Sequence, residues 1–152
     1  MATETQIRPG RPGDVPALLE AYLWLFSHPG APPPRWDQEW AARALVDLQG
    51  SEHAEVLVAE ADGQVVGFCT AYLDIRSVRF GQRSWVEDLA VHPDRRSAGI
   101  GRQLLGAAMA WAREHGASHL ELDSTTNRAA AHRFYEREQP SWTSMCFGWD
   151  LS

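Results

Sequence analysis

The residues most able to do chemistry lie in one stretch, Val86-Glu87-Asp88-Leu89-Ala90-Val91-His92-Pro93-Asp94-Arg95-Arg96-Ser97-Ala98-Gly99-Ile100-Gly101-Arg102. An apolar strand pattern ends at Val91, a short polar turn follows, and a helix pattern opens around two glycines. The first backbone N–H groups of a helix have no intrahelical partner and carry the positive end of the dipole, so they suit an anion. Glycine at 99 and 101 lets a ligand approach the backbone with no Cβ in the way. Arg95, Arg96 and Arg102 add planar, permanently charged donors that match phosphate oxygens. A glycine-softened helix start with solvated arginines has the same sequence, and the hexapeptide R-x-x-G-x-G does not choose between the two. It is neither a P-loop, which needs a lysine, nor the G-x-G-x-x-G dinucleotide fingerprint.

Composition narrows the chemistry further. All 14 basic residues among the 152 are arginine, against 20 acidic ones, for a net charge of −6. No lysine means no Schiff base and no lysine nucleophile. An acidic pI near 5.4 argues against binding nucleic acid by phosphate neutralisation. Cys69 and Cys146 form neither a disulfide framework nor a metal spacing, and Cys69 sits in an apolar run as a buried structural thiol would. His115 and His119 are four apart, but Gly116 interrupts them, so no metal site is expected. No serine, cysteine or histidine stands in a nucleophile-elbow setting. The apolar content, 44%, suits one folded domain spanning residues 1–152. No stretch approaches the length of a membrane span and Met1–Thr5 has no signal-peptide pattern, so a cytoplasmic location is expected.

The elements that must position these residues follow from periodicity and punctuation. Strands are expected at Thr5–Arg8, Glu55–Glu60, Gln64–Ile75, Arg83–Val91, His119–Asp123 and Thr143–Leu151, with Asp62-Gly63 as a hairpin turn. Helices are expected from Asp14, a candidate N-cap, to Phe26, from Trp36 to Leu48, from Gly99 to Glu114 with Gly116 as its stop, and from Arg128 to Arg137. That order means an α/β (α+β) domain around a mixed sheet.

With the helix Asn127-Arg128-Ala129-Ala130-Ala131-His132-Arg133-Phe134-Tyr135-Glu136-Arg137 added, the chain resembles the GCN5-related N-acetyltransferase (GNAT) superfamily. The resemblance is strongest from Val86 to Tyr135. It implies a mostly antiparallel sheet with helices on both faces and strands splayed at the cofactor site. It implies acetyl-CoA as co-substrate, its pyrophosphate in the turn formed by Arg96, Ser97, Ala98, Gly99, Ile100, Gly101 and Arg102. Backbone groups of Leu89, Ala90 and Val91 then meet the pantetheine arm, with Asn127 and Tyr135 as further cofactor contacts. Asn127 is also placed to cap its helix.

The implied reaction moves acetyl to a primary amine by direct attack in a ternary complex. Tyr135 is the candidate general acid for the departing thiolate, or else a buried phenol that is merely satisfied. Glu87 is the first candidate to take the amine proton, or else a solvated carboxylate; plain alternation puts it on the face of Leu89 and Asp88 on the other, which makes Asp88 the second candidate. His132 lies beside Tyr135 on the helix surface. Tyr22, Trp24, Phe26, Trp36 and Trp40, with Asp37 and Glu39, could wall a pocket for a small amine, or pack as core or as a dimer face. A small-molecule amine is the first expectation; a protein or peptide amine, or a non-catalytic acyl-CoA-binding module, is the alternative, and a homodimer is possible. The chain departs from the family pattern at Glu138-Gln139-Pro140, where Gly-Phe is usual, which puts the exit to the last strand in question.

Overall fold

Val, Ala and Leu on either side of Asp62-Gly63 form a long hairpin, β2 (Ala54–Ala61) and β3 (Gln64–Ser77), whose turn holds both residues at positive φ. Around it the computed structural model, which describes residues 3–152, places β1 (Gln6–Pro9), β4 (Gly81–Val91) and β5 (His119–Glu121). The order is β1-β2-β3-β4-β5; only the β4–β5 pairing is parallel, so the sheet is mixed and mostly antiparallel as expected. The helices are α1 (Val15–Phe26), α2 (Gln38–Gln49), α3 (Ile100–Glu114) and α4 (Ala129–Arg137).

Helices cover both faces of the sheet. α3 packs Ile100, Leu104, Ala108 and Trp111 onto Leu57, Cys69 and Val86. α1 and α2 pack Leu18, Ala21 and Leu45 onto Val56, Val58 and Phe68 on the other side. Phe68, Leu18, Leu45 and Leu104 are fully buried, each contributing about 1.5–3 kcal/mol of transfer free energy. The cysteine expectation holds: Cys69 is buried, and burial, with Asp88 nearby, pushes its thiol up to about 12.

The caps differ in detail from the sequence reading. Asp14 stands at the α1 N-cap but gives no cap bond; its carboxylate accepts from the Arg11 N–H and from Arg8. α2 begins at Gln38, two residues after the expected Trp36, and its N-cap is Asp37, whose Oδ1 accepts from Glu39 and Trp40 N–H. α3 ends as expected: Gly116 takes φ +81° while Ala117 and Gly116 N–H reach back to Ala112 and Arg113.

The chain divides into two compact units, Met1–Leu122 and Asp123–Ser152. The first carries the whole sheet with α1–α3; the second carries α4 and the residues after it. The strand expected at Thr143–Leu151 is not formed: no strand is described after β5, and every residue from 141 to 152 is exposed. Gln139 takes φ +55° directly before Pro140, which stops α4, and among the described residues no strand follows. Among the described residues no helix is long and apolar enough to cross a membrane.

Candidate active site

β4 leads directly into the candidate anion turn. It runs to Val91, while β5 pairs with it only from Arg83 to Trp85, opposite His119 to Glu121. From Val86 to Val91 the edge of β4 that faces β5 therefore has no ladder in the sheet. Backbone groups of Leu89, Ala90 and Val91 lie in this splayed stretch, where an extended amide-bearing chain could take the place of a strand.

The chain then turns through Pro93–Arg95, with the His92 Nδ1 accepting from the Asp94 N–H at 3.1 Å. Ser97 at φ +65° and Gly99 at φ +83° are both left-handed, and together they aim the backbone into α3. A Cβ on Gly99 would meet nothing within 4 Å, so the space over the turn is open. The Gln103 N–H donates to the Gly99 C=O at 3.1 Å, so Gly99 opens the first turn of α3 and the positive end of the helix faces the turn. Arg96 Nε reaches the Val91 carbonyl at 3.4 Å, and Arg95 pairs with Asp62 at 3.6 Å. An uncrowded glycine turn, a positive helix end and guanidiniums fit the pyrophosphate of a CoA ester.

On the α1–α2 side of β4 the facing differs from plain alternation. β3 and β4 pair as Cys69↔Leu89 and Thr70↔Asp88, and then as Ala71↔Val86, so Glu87 is an extra residue, a β-bulge. Thr70 holds the bulge: its hydroxyl accepts from the Asp88 N–H at 3.1 Å and donates to Asp88 Oδ2 at 2.7 Å. Val86 and Leu89, three apart, thus share the α3 side, while Glu87 and Asp88 both line a cleft on the opposite side. The expected partition, Glu87 with Leu89 and Asp88 opposite, is corrected by one inserted residue.

That cleft, about 650 Å³, is walled by Tyr22, Trp40, Tyr72 and Trp85 and bears the carboxylates of Asp74, Glu87 and Asp88 against one guanidinium, Arg83. Arg83 is held between Asp74 (2.6 Å) and Glu121 (3.1 Å), over the Trp85 ring at 4.8 Å. Trp85 Nε1 donates to Glu87 Oε2 at 2.6 Å, fixing an otherwise exposed carboxylate. Asp88 accepts from Tyr22 (2.8 Å) and Thr70 (2.7 Å). Burial raises its pKa, those two hydrogen bonds oppose the rise, and the Glu87 charge adds to it. Burial and Asp88 together keep the Tyr22 phenol protonated well above its ordinary range, so it remains a donor. Tyr72 is pushed up to about 12, chiefly by burial and then by Asp88.

Of the aromatic set expected around an acceptor, only Tyr22 and Trp40 reach the cleft. Phe26 and Trp36 stack beside Tyr22, and Trp24 packs on His92 at 5.0 Å. Asp37 is a helix cap and Glu39 pairs with Arg43, so the acidic groups of the cleft come from β3 and β4 instead. Tyr72, Asp74 and Trp85 were missed from sequence; their alternation with core residues on two paired strands was the available signal.

In the second unit, α4 carries Tyr135 next to Phe134, ring centroids 5.2 Å apart. Arg128, not Asn127, occupies the α4 N-cap position, and the Asn127 amide oxygen accepts from the Thr125 hydroxyl at 2.9 Å. His132 Nε2 lies 2.9 Å from the Thr125 carbonyl.

Known proteins are similar to this chain in sequence and in architecture. The profile of the acetyltransferase (GNAT) family matches residues 15–139. An aminoglycoside N(6')-acetyltransferase type 1 of Stenotrophomonas maltophilia is 33% identical over 135 residues, 87% of this chain and 83% of that protein. An aminoalkylphosphonate N-acetyltransferase of Salmonella typhimurium is 36% identical over 81 residues, 53% of each chain. An aminoglycoside N-acetyltransferase, AAC(6')-Iy, solved with CoA, superposes with a TM-score of 0.83 over 99% of this chain and 96% of that one; at 18% identity it establishes the fold.

Proposed function

The chain belongs to the acetyltransferase (GNAT) family and is an acetyl-CoA-dependent N-acetyltransferase, and from that premise we propose that its acceptor is a primary amine on a small polycationic molecule of the aminoglycoside kind. The observation that carries this is the cleft: four aromatic walls, three carboxylates and a single guanidinium already engaged by Asp74 and Glu121. Net negative charge between π faces favours a ligand with several ammonium groups over a neutral or anionic one. The S. maltophilia relative, whose name gives an aminoglycoside as its substrate, supports the same class.

Acetyl-CoA supplies the acetyl group as an activated thioester. In this reading Ser97 to Arg102 hold its pyrophosphate, with Arg96 and the first N–H groups of α3 as donors, and Leu89 to Val91 offer backbone groups to its amide arm. Asn127 is a further contact. An acceptor ammonium must lose a proton before attack, and Glu87, fixed by Trp85 and open to the cleft, takes it. As the new C–N bond forms and the C–S bond breaks, the Tyr135 phenol gives its proton to the departing sulfur, and the second proton shed by the nitrogen as it becomes an amide passes through solvent and restores the phenol. Asp88 supports a second reading of the base, since it lines the same cleft with a carboxylate fixed by two donors and a raised pKa.

The test is free-thiol release from acetyl-CoA with a panel holding an aminoglycoside, a linear polyamine, a neutral monoamine and a peptide with a free N-terminus. The aminoglycoside is expected to give the highest kcat/KM. Turnover confined to the peptide or the neutral amine would overturn the acceptor class.

A further inference from the structure

Three residues of β4 that line the cleft, Arg83, Trp85 and Glu87, form a single chain of contacts. Glu87 ends the chain with an exposed carboxylate on a flexible side chain, which left to itself would sample many rotamers. The Trp85 Nε1–H donates to its Oε2 at 2.6 Å, a short charge-assisted bond. That bond holds the carboxylate only as firmly as the indole itself is held. A wall that served packing alone would have no use for the N–H.

Arg83 holds the indole. Its guanidinium lies over the Trp85 ring, 4.8 Å from the centroid. All three guanidinium nitrogens are engaged: Nε and Nη2 donate to the Asp74 carboxylate at 2.6 to 3.1 Å, and Nη1 donates to Glu121 at 3.1 Å. Asp74 is on β3 and Glu121 on β5, so one planar group on β4 ties three strands. The tie stands where both ladders are interrupted. The β3–β4 register shifts between Leu73 and Arg76, opposite Arg83, and the β4–β5 pairing ends at Trp85↔Glu121. Side chains there fix what backbone pairing does not.

We propose that Arg83 and Trp85 are positioning residues for acetyl transfer: Arg83 fixes the indole plane, and the indole N–H aims Glu87 at the acceptor amine. This rests on the reading of Glu87 as proton acceptor and adds to it the two residues that hold that carboxylate in place. Both act through Glu87, so removing either costs turnover only while residue 87 keeps its carboxylate. A misaimed acceptor slows the proton transfer and leaves cofactor binding as it was.

The test is a kinetic double-mutant cycle, with kcat and both KM values measured from free-thiol release. The acceptor is kanamycin or, should it not turn over, the best amine of the panel above. Trp85→Phe, which keeps a ring and removes the N–H, is expected to lower kcat about 10–100-fold with KM for acetyl-CoA within about twofold. Arg83→Gln is expected to lower kcat about three- to thirtyfold. In a Glu87→Gln background each is expected to change kcat by less than about twofold, because residues acting through one group are not additive. Trp85→Phe and its pairing with Glu87→Gln decide the matter should Arg83→Gln not fold. Wild-type kcat in Trp85→Phe, a loss confined to KM, or losses that multiply with that of Glu87→Gln would overturn the proposal while leaving Glu87 as proton acceptor. Wild-type kcat in Glu87→Gln itself would overturn both.

Discussion

Glu87 and Asp88 are neighbours in sequence, yet one bulge turns both carboxylates into the same cleft and gives them unlike surroundings. Glu87 is exposed and held by an indole N–H; Asp88 is largely buried and held by a phenol and a hydroxyl. A proton acceptor must meet the substrate, so Glu87→Gln and Tyr135→Phe are each expected to lower kcat by about 10²–10⁴, with CoA affinity unchanged in the first and changed far less than kcat in the second. Asp88→Asn keeps a group able to accept from Tyr22 and Thr70 and is expected to stay within about tenfold of wild type. The pH–rate profile separates the readings. Asp88 serves as a base only when ionised, so with its pKa raised its limb would rise at a pH above the ordinary carboxylate range and would vanish in Asp88→Asn. Loss of that limb together with the larger rate loss would transfer the proton to Asp88. From sequence both residues were legible as candidates; their shared facing was not, because a bulge is fixed by what Thr70 does across the ladder.

At the scale of elements, the approach of α3 to the sheet ties the candidate cofactor turn to the core. Gly67 on β3 faces the start of α3, and a Cβ there would lie 3.1 Å from the Ala90 carbonyl oxygen, Ile100 Cγ2 and Leu104 Cδ1. The oxygen belongs to backbone, so helix and sheet would have to move apart. Gly67→Ala is therefore expected to cost about 1–3 kcal/mol, read as a lower Tm. It is also expected to weaken CoA binding, because Ile100 is the first residue of α3 and moves with it; unchanged Tm and unchanged Kd would show that the approach is looser than described. The elements themselves were legible to within a few residues, since α3 rests on local signals: Gly99 before it, Leu104, Leu105, Ala108 and Trp111 along one side, Gly116 after it. Thr143–Leu151 was not, because its alternation specifies a face and leaves the partner unspecified.

For the whole molecule, acid stability turns on carboxylates whose pKa values move in opposite directions. Arg8 links β1 to the start of α1 and to β2, donating to Asp14 at 2.8 and 2.9 Å and to Glu60 at 2.6 Å. The hydrogen bond from Arg8 holds the Asp14 carboxyl below its ordinary value against the opposing effect of burial. A lowered folded-state pKa favours folding wherever the carboxyl is ionised, so this contribution is complete above the ordinary carboxylate range and is lost as pH falls through the lowered value. Asp88, with a raised pKa, has the opposite slope. Arg8→Met is expected to cost about 1–3 kcal/mol at neutral pH, with the gap between wild-type and variant Tm narrowing as Asp14 becomes protonated. A gap that stays constant into acid would show that Arg8 acts through packing alone. The sequence by itself determined the lysine-free, acidic character of the chain, the succession of helices and strands, and the glycine-bearing turn before α3, because propensity, capping and periodicity act within a few residues. Only the tertiary structure decided that Glu87 and Asp88 share a cleft with Asp74 and Arg83, that β5 stops short of the end of β4, and that residues 143–151 form no strand. Each of these is a matter of register and strand pairing, set between segments distant in sequence.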